Sequence, residues 1–139
     1  MNRPIHIIGL VLALSCPGNA QEQRCHALVP TLRTWDALYK SFQSNGRCDD
    51  GLIGEGYSES VARILVDRWN TTPRLASLVT KSIAFRQFVL RHIDASLDTN
   101  DLEKIKARTK TQCPQGLRVL CDDLEKQASS ALKESAAPR

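Results

Sequence analysis

The chain has 139 residues, 42% of them hydrophobic and 24% charged, with a formal net charge of +4. Lys and Arg alternate with Asp and Glu along the whole length, and the aromatics, at 5%, never interleave with basic residues, so neither an electrostatic footprint nor a stacking platform for nucleic acid is present. What remains is the composition of one ordinary globular domain.

Residues 1–20 read as a secretory signal. Arg3 supplies the positive start, "IHIIGLVLAL" the apolar run and "GNA" the small-residue cleavage site after Ala20. The run is too short to span a bilayer as a helix, so no stable membrane insertion is expected. Cleavage leaves 119 residues, 21–139, and the charge falls to +3 as Arg3 leaves. A lipoprotein reading puts lipid on Cys16 of "ALSC", but Ala at the first position of that motif and Pro17 after the cysteine match it poorly.

From there the period is helical. Leu28, Leu32, Trp35, Tyr39 and Phe42 recur at three and four residues, placing one apolar stripe on "LVPTLRTWDALYKSF", with Pro30 in its first turn and "NGRC" as its break. In the next segment Ile53, Tyr57, Val61, Ile64, Leu65 and Trp69 fall within an arc of about 160°. The helix is therefore expected to begin at Asp49 or Asp50, with Glu55, Glu59, Arg63 and Asp67 on its opposite face. Gly51, Gly54 and Gly56 inside it each cost about 1 kcal/mol against Ala and require a reason, for which close packing of a neighbouring helix is preferred over close approach of a partner's backbone. Thr72 and Pro73 read as cap and first residue of a helix through "RLASLVTK". "IAFRQFVLRHI" follows, with Phe85, Phe88, Val89, His92 and Ile93 on one face. Asp98 or Thr99 caps "NDLEKIKART", and "LRVLCDDLEKQASSAL" closes the chain before a frayed tail at 133–139. The expectation is a single all-α bundle of five or six helices, residues 21–139.

Cys25, Cys48, Cys113 and Cys121 remain after the signal, an even number that in an exported chain reads as two disulfides. A four-thiolate zinc site would need close pairs, and spacings of 22, 64 and 7 intervening residues contain none. If Pro114 opens the last helix, Cys121 sits roughly 12 Å from Cys113, beyond the roughly 7 Å that a bridge allows. Bridges tying the N-terminal half to the C-terminal half are therefore favoured, with the pairing left open.

Catalytic patterns are wanting. Neither "DDGLIGEGYSE" nor "DASLDTNDLE" has the residue order of a calcium loop. Asp49 and Asp50 at a helix start would have lowered pKa values, the opposite of what a glycosidase acid needs. There is no GxSxG, no HExxH and no phosphate loop; His92, beside Phe85 and Phe88, reads as a core or boundary residue. No enzyme activity, metal or cofactor is expected, and the sequon at 70–72 is a pattern only.

The plan of the whole chain resembles the periplasmic immunity proteins of type VI secretion effectors, the helical group that neutralises cell-wall amidases. The likeness rests on "MNRPIHIIGLVLALSCPGNA" as signal, helices throughout, a mature domain of this size, and cysteines at "GRCDDG", "QCPQG" and "VLCDDL". It implies a periplasmic helical protein, with a homodimer as one open arrangement, that blocks the active site of a toxic enzyme. It carries no contact residue onto a numbered position. From the residues themselves, Asp49, Asp50, Glu55 and Glu59 form the first candidate surface for a cationic protein partner, and Arg86 and Arg91 the second. A structural or chaperone-like envelope role is the alternative and predicts a broad apolar groove; a minor hydrolase would need a pocket joining carboxylates from separate helices.

Overall fold

A computed structural model describes residues 18–138. Among these residues there are seven α-helices and no strand: α1 (Gly18–Leu28), α2 (Trp35–Asn45), α3 (Gly51–Asp67), α4 (Thr72–Lys81), α5 (Ile83–Arg91), α6 (Thr99–Thr111) and α7 (Arg118–Ser135). Residues 1–17, which hold most of the signal reading and Cys16, lie outside the described residues; Gly18–Ala20 open α1.

The all-α architecture is as expected, but the helix number is seven instead of five or six. The stripe from Leu28 to Phe42 is not one helix. Its first part is a 3-10 turn, Val29–Thr31, which places Pro30 where a missing N–H costs nothing. Thr34 then takes an extended conformation and accepts a hydrogen bond from the Ala37 amide at 3.2 Å, starting α2 afresh. The helix before the break, α1, has no apolar stripe to announce it.

Other boundaries follow local chemistry. Thr71, not Thr72, is the cap of α4, and Pro73 sits comfortably in the first turn. Ser82 caps α5 by accepting from the Phe85 amide, and Asp98 caps α6 by accepting from the Asn100 amide. The last helix runs to Ser135, into the stretch read as tail.

The core is a single cluster with α3 at its centre, where Tyr57, Val61, Ala62, Ile64 and Leu65 are buried. The 3-10 turn Val29–Thr31 lies on α3 from one side and α6 from another; α6 and α7 form a hairpin, and α4 and α5 pack together. Aromatic rings close the joint between α2, α3 and α5: Phe88 stands 5.1 Å from Phe42, 5.2 Å from Tyr57 and 4.4 Å from His92, centroid to centroid.

Gly56 shows why α3 tolerates glycine. A Cβ there would lie 2.6 Å from Cγ1 of Val29, so the turn rests directly on the helix backbone. At Gly54 a Cβ would meet only Asp49 Oδ1, at an ordinary 3.6 Å. Gly54→Ala is therefore expected to stabilise by about 0.5–1 kcal/mol through helix propensity. Gly56→Ala, forcing the stiff Val29 aside, should destabilise by about 1 kcal/mol after that same propensity gain. Denaturant midpoints of the two variants check this; equal shifts would remove the close-packing account.

The disulfides are Cys25–Cys48 and Cys113–Cys121, with Cα separations of 5.6 and 6.1 Å. Neither joins the two halves of the chain, contrary to expectation. The break at 32–34 reverses the chain between α1 and α2, so the 3-10 turn Gly46–Cys48 returns to α1. At the second bridge, α7 begins at Arg118 and not at Pro114. A turn closed by the Leu117 amide on the Pro114 carbonyl, with Gly116 at φ +80°, bends Cys121 back to Cys113.

Candidate functional site

The six candidate surface residues separate into two groups. Asp50, Glu55 and Glu59 are exposed on α3. Asp50 holds the N-cap position without a side-chain capping bond, its carbonyl accepting instead from the Ile53 and Gly54 amides. Glu59 pairs with Arg63 at 2.7 Å, the favourable i to i+4 orientation, which relieves its repulsion from Glu55. Among the described residues no ion pair forms on Glu55.

Asp49, Arg86 and Arg91 are engaged within the protein. Arg86 pairs with Asp123 of α7, and Arg91 with Asp49, its guanidinium carbon lying 5.7 Å from the Phe88 ring centre. The two arginines do point off the buried face of α5, but onto intramolecular carboxylates. Asp49 is correspondingly half-buried behind α3 and does not belong to its outer stripe.

The outer stripe includes one residue the sequence reading passed over. Leu52 is 74% exposed, one turn before Glu55 and two before Glu59. The signal was its place outside the 160° apolar arc. Gly51, at φ +51°, leaves the backbone bare on one side of it. Beside the stripe, between the Val29–Thr31 turn and α3, runs a groove of about 630 Å³ floored by Gly56, Ser60 and Ile64, with Arg33, Glu59, Arg63, Asp67 and Arg68 among its lining. Stripe and groove together make a mixed apolar and charged surface suited to a protein partner.

Behind the start of α3 lies a buried polar row. His92, 4% exposed, places Nδ1 3.0 Å from Ser58 Oγ; Ser58 donates to Asp94 Oδ2 at 2.7 Å; and His92 Nε2 lies 3.1 Å from Asp49 Oδ1. Burial is the main cause holding the His92 pKa below its ordinary value, with Arg91 adding to it and Asp49 and Asp94 opposing. Burial also works to raise Asp94, but hydrogen bonds from Ser58 and Ser96 outweigh it and keep that carboxyl below its usual range. Tyr57, whose hydroxyl meets Ser41 at 2.7 Å, is pushed up by burial.

Ser, His and Asp in a row invite a nucleophilic reading, and the geometry argues against it. Ser58 is 1% exposed and its hydrogen goes to Asp94, so the imidazole does not receive it. The row is suited to joining elements. Sequence could not assemble it, since Ser58 and Asp94 are polar groups 36 positions apart with no periodic signal.

Among the described residues no group of three His, Cys, Asp or Glu side chains is placed to hold a metal ion, and no helix is long and apolar enough to cross a membrane. Comparison with known protein families, with curated proteins and with solved structures finds no match to this chain.

Proposed function

We propose that this is an exported, periplasmic binding protein that neutralises a toxic or cell-wall-degrading enzyme by forming a tight complex, in the manner of the immunity proteins its plan resembles, and that it meets its target through the outer stripe of α3. The supporting observation is Leu52, an exposed leucine set between Asp50 and Glu55 on the central helix of the fold. Interfaces are organised around a few such anchors ringed by polar groups. The free carboxylate of Glu55 adds a preference for a cationic surface. Two disulfides suit an oxidising compartment.

The alternative, an envelope chaperone, calls for a broad apolar groove. The groove beside α3 has five charged residues among its lining, which favours a specific partner over a general one.

The test is capture of partners with the oxidised protein, residues 21–139, followed by inhibition assays on any enzyme recovered. Leu52→Ala and Glu55→Arg are each expected to weaken inhibition at least about tenfold, on the order of 1.4 kcal/mol or more, with the fold unchanged. An inhibited enzyme insensitive to both changes would move the surface elsewhere. Weak capture of many unrelated envelope proteins would overturn the inhibitor reading.

A further inference from the structure

The groove between the Val29–Thr31 turn and α3 has a shape that narrows its choice of occupant. Its α3 side is one continuous helix face, with Gly56, Ser60, Ile64 and Asp67 in succession, and Val29 and Pro30 stand in the opposite wall. From Gly56 to Asp67 the helix rises roughly 16 Å, so a volume of about 630 Å³ spread over that length is about 6 Å across. A second helix, about 10 Å wide with its side chains, is too broad to enter. An extended chain fits and, rising about 3.3 Å per residue, places about five residues along the groove.

The charges of the lining are unevenly satisfied. Arg63 pairs with Glu59 at 2.7 Å and lies also in the field of Asp67, one turn further on, so that rim is served from within the protein. Arg33 and Arg68 are exposed, and among the described residues neither forms an ion pair. Both are firmly rooted. Arg33 Nε donates to the Pro30 carbonyl at 3.3 Å, which leaves its two terminal nitrogens for another acceptor. The Arg68 amide donates to the Ile64 carbonyl, while its own carbonyl accepts from the Thr71 amide and hydroxyl. Guanidinium groups on such fixed roots suit carboxylates, which they bind through charge-assisted hydrogen bonds. The floor adds no donor to compete, since the Ser60 hydroxyl is turned onto the Gly56 carbonyl at 2.9 Å.

We propose that this groove seats an extended acidic segment of the protein partner, with its carboxylates on Arg33 and Arg68 and an apolar side chain against Val29 and Pro30. The proposal rests on the reading of α3 as the partner-facing helix and adds a second polarity to it. Glu55, near the start of the helix, meets a cationic surface, and the groove takes an acidic segment beside it. A partner that offers both is matched along the length of α3, and one that offers only the cationic surface is not.

The experiment is selection of a phage-displayed library of random octapeptides on the oxidised protein, residues 21–139, with no enzyme present. Expected is enrichment of peptides in which an acidic residue stands beside an apolar one, with NMR shifts on titration at 29–33 and 56–68. Arg33→Ala and Arg68→Ala should each weaken the selected peptides about tenfold, the loss of one charge-assisted contact. Exchanging the peptide's acid for its amide should do the same on the unaltered protein, a reading that needs no variant to fold. Arg118→Ala, which removes an exposed cation from α7, should leave binding unchanged. No enrichment, peptides without an acidic residue, acidic peptides indifferent to both groove variants, or an equal loss in Arg118→Ala would each overturn the proposal. Because no enzyme takes part, failure of the groove and failure of the inhibitor reading are told apart: the first is read from the peptides alone, the second from the inhibition assays.

Discussion

Replacing Phe88 by alanine is expected to cost about 3–5 kcal/mol, the largest effect of any single substitution considered. The ring is almost fully buried and touches Phe42 of α2, Tyr57 of α3, Phe85 of α5 and His92 just after α5. Truncation leaves a void where three helices meet, and edge-on ring contacts worth about 0.5–1.5 kcal/mol each are lost with it. Arg91 also loses the face over which it lies. Since small domains hold only about 5–15 kcal/mol in all, the variant should melt far below the parent. Urea denaturation followed by circular dichroism measures this. A loss under about 1.5 kcal/mol would mean that neighbouring rings refill the site and that the aromatic joint is not what fastens α2 to α5.

The second large effect concerns the bridges, which differ in reach. Cys25 and Cys48 are 23 positions apart, Cys113 and Cys121 only 8. Loop entropy alone then gives about 3.4 kcal/mol for the first and about 2.5 for the second. Location widens the gap. The first bridge fixes α1, which is otherwise held chiefly through the Val29–Thr31 turn. The second reinforces an α6–α7 hairpin that already packs along its length, carries the Lys110–Glu125 pair, and is tied to the rest by Trp69 Nε1 donating to the Gln112 carbonyl at 2.7 Å. Cys25→Ser with Cys48→Ser should therefore cost more than 3 kcal/mol and strip protection from the α1 amides. Cys113→Ser with Cys121→Ser should stay near its loop value. Finding the second pair the costlier would mean that α1 contributes little to the folded state.

Much of this was legible in the residues. On the stripes from Tyr57 to Leu65 and from Leu120 to Ala131 the helix and its inward face were as the period predicted, but the first stripe does not stay helical to its end: α3 stops at Asp67 and Trp69 falls in the 3-10 turn that follows. Close packing accounts for only one of the three glycines, Gly56, and what packs on it is the 3-10 turn at Val29 instead of a helix; Gly51 and Gly54 have no such neighbour. What escaped lay in irregular chain. Reversals at 32–34 and 112–117 decide which cysteines meet, and their geometry depends on one extended threonine and one left-handed glycine, neither of which has a period. The outward charges of α5 looked free because sequence cannot show that Asp123 and Asp49 arrive from other elements to meet Arg86 and Arg91. On α3 the acidic stripe was visible, whereas the leucine at its head shows itself in the sequence only by falling outside the apolar arc.

The bond from the Trp69 indole to Gln112 also gives the protein an optical gauge of its own. The chain has two tryptophans, both deeply buried, Trp35 opening α2 and Trp69 following α3. Indole emission shifts to the red as water replaces apolar neighbours or a fixed hydrogen-bond acceptor. With Trp35 exchanged for phenylalanine, the remaining light comes from a ring anchored one residue before Cys113. Its colour then reports whether the α6–α7 hairpin is seated on the rest of the fold, in real time and without a label.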